Sequence, residues 1–326
     1  MNQDILRSYK ILDGEDLSMT EILALSKIGG EDLLDLVSLS YKVQKKYSPS
    51  IHLCTISNAK SGLCSENCSF CAQSSFHHTD IATYPLLSFK EIFQQAEKAY
   101  QNGIRHFGIV TSGYGYQKVN EEFQTILHII EKVKKDFPDM EICASLGVLS
   151  EETAELLVRA GIVEYNHNLQ VNPEKYSTLI SSTHSINERI QTIKILKKYP
   201  VRVCSGGILG VGETMEDRIK LAFLLKNLNV DIIPLNVLIP IKGTKLEGQQ
   251  KISPLEVVKT FALFRLIVKD KVIKFAAGRE TIMKDFQGLI MLAGANGFLT
   301  GGYLTTKGRR SEDDKEFLEA LYEFQE

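Results

Sequence analysis

Short apolar runs rich in β-branched residues alternate along the chain with amphipathic stretches of 10–17 residues. The short runs read as strands at 51–56 (IHLCTI), 105–110 (RHFGIV), 141–146 (EICASL), 163–168 (VEYNHN), 201–206 (VRVCSG), 231–237 (DIIPLNV), 272–277 (VIKFAA) and 297–300 (GFLT). Between them apolar residues recur at helical spacing, as in SFKEIFQQAEKAYQNG and TMEDRIKLAFLLKNL, and several stretches open on a Ser, Thr or Asn cap followed by an acidic residue. Eight strands each followed by a helix predict an α/β fold, a (β/α)8 TIM-type barrel. The pattern divides into N-terminal helices over residues 1–50, the barrel over 51–300 and a C-terminal segment with a helix over 301–326. An open doubly wound sheet is the competing pattern. It needs a G-x-G-x-x-G turn after the first strand, whereas the similar GGILGVG follows the fifth.

A barrel carries its active site at the C-terminal ends of its strands. Cys143, Asn166, His167, Asn168, Cys204, Asn236 and Arg279 lie within or just after predicted strands. Polar groups in strands covered on both faces are costly unless satisfied, so these residues predict a lined cavity rather than a dry core.

The 326 residues are 44% hydrophobic and 24% charged, enough apolar content for a real core. Lys plus Arg total 38 against 40 for Asp plus Glu, a net charge of −2 that gives no general attraction to nucleic acid or anionic membranes. The first residues, MNQDILRSYKILDGEDL, lack the apolar stretch of a signal peptide, and no run approaches the length of a membrane span, so a cytoplasmic location is expected. Six cysteines are too few for a disulfide scaffold.

Three of those cysteines cluster in SGLCSENCSFCAQSS, giving Cys64-x3-Cys68-x2-Cys71 in the loop after the first strand. Three thiolates on a short loop suit one face of an iron–sulfur cluster, with one iron left open to a cosubstrate. They also suit a zinc site completed by His77 or His78, or a loop without metal.

The cysteine spacing, the aromatic Phe70 before the last cysteine, and the Gly206, Ile208, Gly210 and Glu213 pattern of GGILGVGET resemble the radical S-adenosylmethionine (SAM) superfamily. The resemblance implies a 4Fe-4S cluster on Cys64, Cys68 and Cys71, with SAM on the fourth iron, and radical chemistry without side-chain acid–base catalysis. Further segments, among them EYNHNLQ, PLNVLIPIKGT, FAAGRE and MLAGANGFLTGGYLTT, are similar to the biotin synthase family over residues 30–320. That family inserts sulfur into dethiobiotin, consuming two SAM molecules and drawing the sulfur from a second, sacrificed iron–sulfur cluster. It uses a flavodoxin- or ferredoxin-type electron donor and is usually homodimeric.

Carried over by position, the resemblance assigns Phe70, Asn168, Arg189 and Glu213 to SAM, with Arg189 on its carboxylate. It assigns Asn166, Asn236, Thr305 and Thr306 to dethiobiotin. His167 reads as a packed histidine. The family's second cluster is 2Fe-2S, held by three strand cysteines and an arginine, and Cys143, Cys204 and Arg279 match three of the four. The remaining position is Gly108, which cannot bind iron. Cys54 on the first strand is the candidate replacement, giving a trio with Cys143 and Cys204 that suits a four-iron variant. A small buried core residue is the plainer reading of Cys54. Other enzymes of the same branch, of the hydrogenase-cofactor maturase or methylornithine mutase type, share the barrel and cysteine loop but do not need Cys143, Cys204 and Arg279 together. A zinc-stabilised scaffold without chemistry is the alternative from another class.

Overall fold

The predicted strands pair side by side, all parallel, and close into a ring. In the computed structural model, which describes residues 2–305 and 308–323, the ring consists of β1 (His52–Lys60), β2 (His106–Thr111), β3 (Glu141–Ser145), β4 (Ile162–Asn166), β5 (Arg202–Cys204), β6 (Ile232–Val237), β7 (Val272–Phe275) and β8 (Gly297–Leu299). Each pairs with the next in chain order, and β8 closes onto β1 with His52, Leu53 and Cys54 opposite Gly297, Phe298 and Leu299.

Helices α1 (Gln3–Ser8), α2 (Met19–Leu25) and α3 (Asp32–Tyr47) precede the ring. Around it lie α4 (Phe89–Gln101), α5 (Glu121–Asp136), α6 (Glu151–Ala160), α7 (Pro173–Leu179), α8 (Ile186–Leu196), α9 (Met215–Asn227), α10 (Pro254–Ile267), α11 (Gln287–Leu292) and α12 (Ser311–Glu323). The caps read from the sequence are formed: Ser88, Ser150, Ser185 and Thr214 each close a capping box at the head of α4, α6, α8 and α9. Among the described residues no helix is long and apolar enough to cross a membrane.

Two departures from the sequence pattern bear on the site. β1 runs on to Lys60, because its polar end is held by pairing with β2 and by Lys60 Nζ on Glu122 at 2.7 Å. Gly207–Leu209 forms a further short strand along β6, opposite Leu235–Val237. The glycines of GGILGVG serve this close approach, since a Cβ on Gly206 would lie 1.9 Å from the Pro234 carbonyl oxygen.

Strand side chains alternate between the two faces of the ring. The outward set, including Phe107, Ile109, Ile142, Val203, Ile233, Leu235, Ile273, Phe275 and Phe298, is buried in the main hydrophobic core. The inward set is mostly polar, so the ring is stabilised from outside and left free for chemistry within.

Beside the ring sits a buried polar knot. Arg265 of α10 donates to the carbonyls of Gly294 (2.8 Å), Lys269 (3.0 Å) and Lys271 (2.7 Å), and to Asn296 Oδ1 (2.7 Å). Asn296 in turn donates to Ser48 Oγ at 2.8 Å and accepts from Ile273 N–H at 2.9 Å, tying α3, α10, β7 and the entry to β8. Arg265→Met strands several buried acceptors at once and should lower the unfolding free energy by about 3–5 kcal/mol, read from urea denaturation.

Candidate active site

The loop after β1 is shaped by backbone bonds around its cysteines. Cys64 N–H donates to Gln73 C=O at 2.9 Å, Ser75 N–H to Cys64 C=O at 2.8 Å, and Cys71 N–H to Cys68 C=O at 3.0 Å. The segment between α7 and α8 grips the loop from outside: Asn67 Oδ1 accepts from Ser181 Oγ at 2.8 Å and from Ser182 N–H at 3.0 Å, and Glu66 meets His184 Nδ1 at 2.7 Å. Burial pushes the thiols of Cys68 and Cys71 up to about 12 and about 11, and raises Cys64 as well, while the Arg189 guanidinium opposes this at all three. Burial disfavours the thiolates and the guanidinium favours them, and a metal bound by the loop would favour them further.

Above the ring a cavity of about 320 Å³ runs into the barrel. Phe70, Cys71, Ala72 and Gln73 of the loop border it, and Cys54, Cys143 and Cys204 border it from the strands, with Asn166, Asn168 and Asn236 also on its wall. The strand register explains the lower trio. Gly108 lies opposite Cys143 and Ile56, and Cys54 is two residues before Ile56 on the same face of β1. A Cβ on Gly108 would sit 3.8 Å from Cys143 Cβ and 3.1 Å from Ile56 Cγ2. Cys54 thus shares the cavity wall with Cys143 and Cys204, while β2 offers only Gly108 there.

Two buried charges complete that floor. Lys274 of β7 lines the cavity together with Cys54, Cys143 and Cys204, and its Nζ is 3.5 Å from Glu164 Oε1 on β4. Burial opposes the Lys274 ammonium, but the charges of Cys54, Glu164, Cys204 and Cys143 outweigh it and hold its pKa well above the usual lysine value. Burial is also the main cause that raises the three thiols.

The amides are already engaged with the chain. Asn166 Nδ2 donates to Cys204 Sγ at 3.2 Å, and Asn168 Oδ1 accepts from Gly206 N–H at 3.0 Å. Asn236 spans Gly207 C=O (3.2 Å) and Ala277 N–H (3.1 Å). Arg189 donates Nη1 to Asn168 C=O at 2.8 Å and Nε to Tyr176 Oη at 2.6 Å. Phe70 packs on the buried cluster of Val171, Tyr176, Ile180, Ile208, Val211 and Leu238. Glu213 points into its own turn: its carboxylate accepts from Gly210 and Val211 N–H, both at 2.8 Å, and from Arg218 Nε at 2.6 Å. Thr305 borders the cavity, and Thr306 lies outside the described residues.

Residues 60–225 match the Radical SAM superfamily, and residues 234–322 match the Biotin and Thiamin Synthesis associated domain. A biotin synthase from Pelodictyon phaeoclathratiforme is 51% identical over 331 residues, covering 99% of this chain and 98% of its own length. Another, from Chlorobium phaeobacteroides strain BS1, is also 51% identical, covering 100% and 98%. The chain belongs to the biotin synthase family. Solved structures of methylornithine synthase (19% identical, TM-score 0.84, 96% of this chain and 95% of that one) and of the FeFe-hydrogenase maturase from Carboxydothermus hydrogenoformans (18%, 0.82, 98% and 78%) share the fold. Membership of this radical SAM family implies a 4Fe-4S cluster and SAM.

For a biotin synthase family member, one assignment drawn from the sequence needs correcting. Arg279, expected beside the second trio, is turned away from it. β7 ends at Phe275, so Arg279 lies beyond the strand and outside its pleat. Its Nη2 bonds both carboxylate oxygens of Asp314 on α12, at 2.7 and 2.9 Å, and its guanidinium lies 4.5 Å from the Phe298 ring centre. It docks the C-terminal helix. The basic residue facing the trio is Lys274, five positions earlier in the same segment, and both it and Glu164 were missed. The available signal was a charged residue inside each of two strands covered on both faces.

His77, the zinc candidate, has Nδ1 on Cys71 C=O at 2.8 Å. Among the described residues no three His, Cys, Asp or Glu side chains close around a single ion.

His167 is buried beside Tyr165, and burial holds its pKa well below the usual 6.5. The unfolded chain therefore takes up the proton first, and stability present above pH 6.5 is lost as the pH falls below it. His167→Phe should flatten the pH dependence of stability between pH 6.5 and 5, by up to about 1.4 kcal/mol per pH unit, in chemical denaturation compared with wild type. Asp314→Asn should lower the melting temperature while leaving the iron content of the reconstituted protein unchanged.

Proposed function

We propose that this chain is a biotin synthase that couples two iron–sulfur centres across one cavity, with the first on Cys64, Cys68 and Cys71 and the second on Cys54, Cys143 and Cys204. The observation that carries the reading is one cavity bordered both by Cys71 of the loop and by the strand trio, with Asn166, Asn168 and Asn236 also on its wall. Held by Cys64, Cys68 and Cys71, a 4Fe-4S cluster would supply the electron for SAM cleavage, and a centre held by Cys54, Cys143 and Cys204 would supply the sulfur for dethiobiotin.

The chain's own groups arrange that chemistry. An amide presents both a donor and an acceptor, so asparagines along the wall match a ureido ring carrying N–H and C=O groups. Arg189, fixed by Tyr176 and Asn168, stands next to the loop where a SAM carboxylate would be neutralised. Phe70, with Ile208, gives an apolar shelf for the adenine, and Glu213 keeps the adjoining turn in shape. Thr305 and Thr306 are assigned to the dethiobiotin carboxylate on the family resemblance. Carbon–hydrogen bonds are broken by radical transfer, so no side chain needs to act as general acid or base. The resemblance also extends the proposal to a flavodoxin- or ferredoxin-type electron donor and a cytoplasmic homodimer.

Anaerobic reconstitution with dethiobiotin, SAM and a strong reductant should yield biotin and 5′-deoxyadenosine. Formation of 5′-deoxyadenosine with neither biotin nor a thiolated intermediate would rule the assignment out. Iron and sulfide analysis should find two centres in the wild type and loss of the second in Cys54→Ala; an intact second centre in that variant removes Cys54 from the ligand set.

A further inference from the structure

Below the Cys54–Cys143–Cys204 trio the inner wall of the barrel is charged, where barrels of this type are ordinarily packed with branched apolar side chains. Glu164 is central to that wall. It is 3% exposed and lies opposite Cys143 on one side and Arg202 on the other in the strand register. Its Oε1 is 3.5 Å from Lys274 Nζ, while its Oε2 is 3.7 Å from Arg202 Nη2 and has no hydrogen-bond partner. Arg202 is also bound by Glu141, which takes His106 Nδ1 at 2.9 Å. A chain of alternating charge thus links the partly exposed N-terminal mouth of the barrel to the cavity floor.

A carboxylate adds negative charge of its own beside a thiolate-held metal centre, so any benefit Glu164 brings to such a centre must pass through the cation it holds. The fold makes room for that cation: a Cβ on Gly297 would lie 2.9 Å from Lys274 Cγ, so β8 is open where the lysine stem passes. The ammonium is then located by the gap at Gly297 and by Glu164, in the cavity that Cys54 also lines.

We propose that Glu164 is a positioning residue for the second iron–sulfur centre, fixing Lys274 Nζ against Cys54, Cys143 and Cys204 so that the ammonium offsets the negative charge of the centre's sulfur atoms. This rests on the second-centre reading above and deepens it. A fixed cation next to the sulfur atoms favours the reduced state of the centre, so the reduction potential depends on Glu164 through Lys274.

The two ways Glu164 can act have opposite signs. Removing a carboxylate that acts only by its own charge raises the potential, whereas removing one that holds the ammonium in place lowers it. The test uses the anaerobically reconstituted enzyme as wild type, Glu164→Gln and Lys274→Met. Iron and sulfide per chain are counted, and the second centre's potential is followed by electron paramagnetic resonance, with the loop cluster's signal as internal reference. The expected result is a lowered potential in Glu164→Gln, and a larger fall or loss of second-centre iron in Lys274→Met. A raised or unchanged potential in Glu164→Gln, or no effect of Lys274→Met, overturns the proposal. A wild-type enzyme that cleaves SAM but holds no iron beyond the loop cluster overturns the second-centre reading itself.

Discussion

The structure depends on the pleat of eight parallel strands closed into a ring. Alternation turns one set of side chains out and the other in, and the two sets obey different rules. The outward set, such as Phe107, Ile142, Val203, Leu235 and Phe275, is apolar and is covered by the surrounding helices. Because that shell supplies the burial, the inward set is released from packing duty and carries thiols, amides and charges. A shift of register by one residue would exchange the two sets and destroy both core and cavity.

The same pleat explains what the sequence could and could not reveal. The Cys64, Cys68 and Cys71 loop was legible because its ligands are close in the chain and need no knowledge of the fold. The strands were legible because their outward halves are apolar, with β-branched and aromatic residues prominent, and the helix starts because Ser88, Ser150, Ser185 and Thr214 announce them. The second trio was reached only through the family resemblance and the expected barrel, since Cys54, Cys143 and Cys204 are far apart in the chain and lie on β1, β3 and β5.

Lys274 and Arg279 mark the limit of that reading. Both are basic and both stand in VIKFAAGRE, and residue type does not tell which faces the cavity. The point at which β7 ends decides it: Lys274 is within the pleat and Arg279 is past it, bonded to Asp314. Glu164 was hidden for a different reason. It shares VEYNHN with two asparagines that suit a polar ligand, and its own significance lies in a lysine more than a hundred residues away.

The turn around Glu213 carries a last consequence. Its carboxylate already satisfies the N–H groups of Gly210 and Val211, and Arg218 holds that carboxylate from behind with Glu256 on its other side. On the proposed assignment of this turn to SAM, such a surface has its shape before the nucleoside arrives. Little conformational freedom remains to be surrendered on association, so affinity there is governed by contact and desolvation rather than by the ordering of a loop.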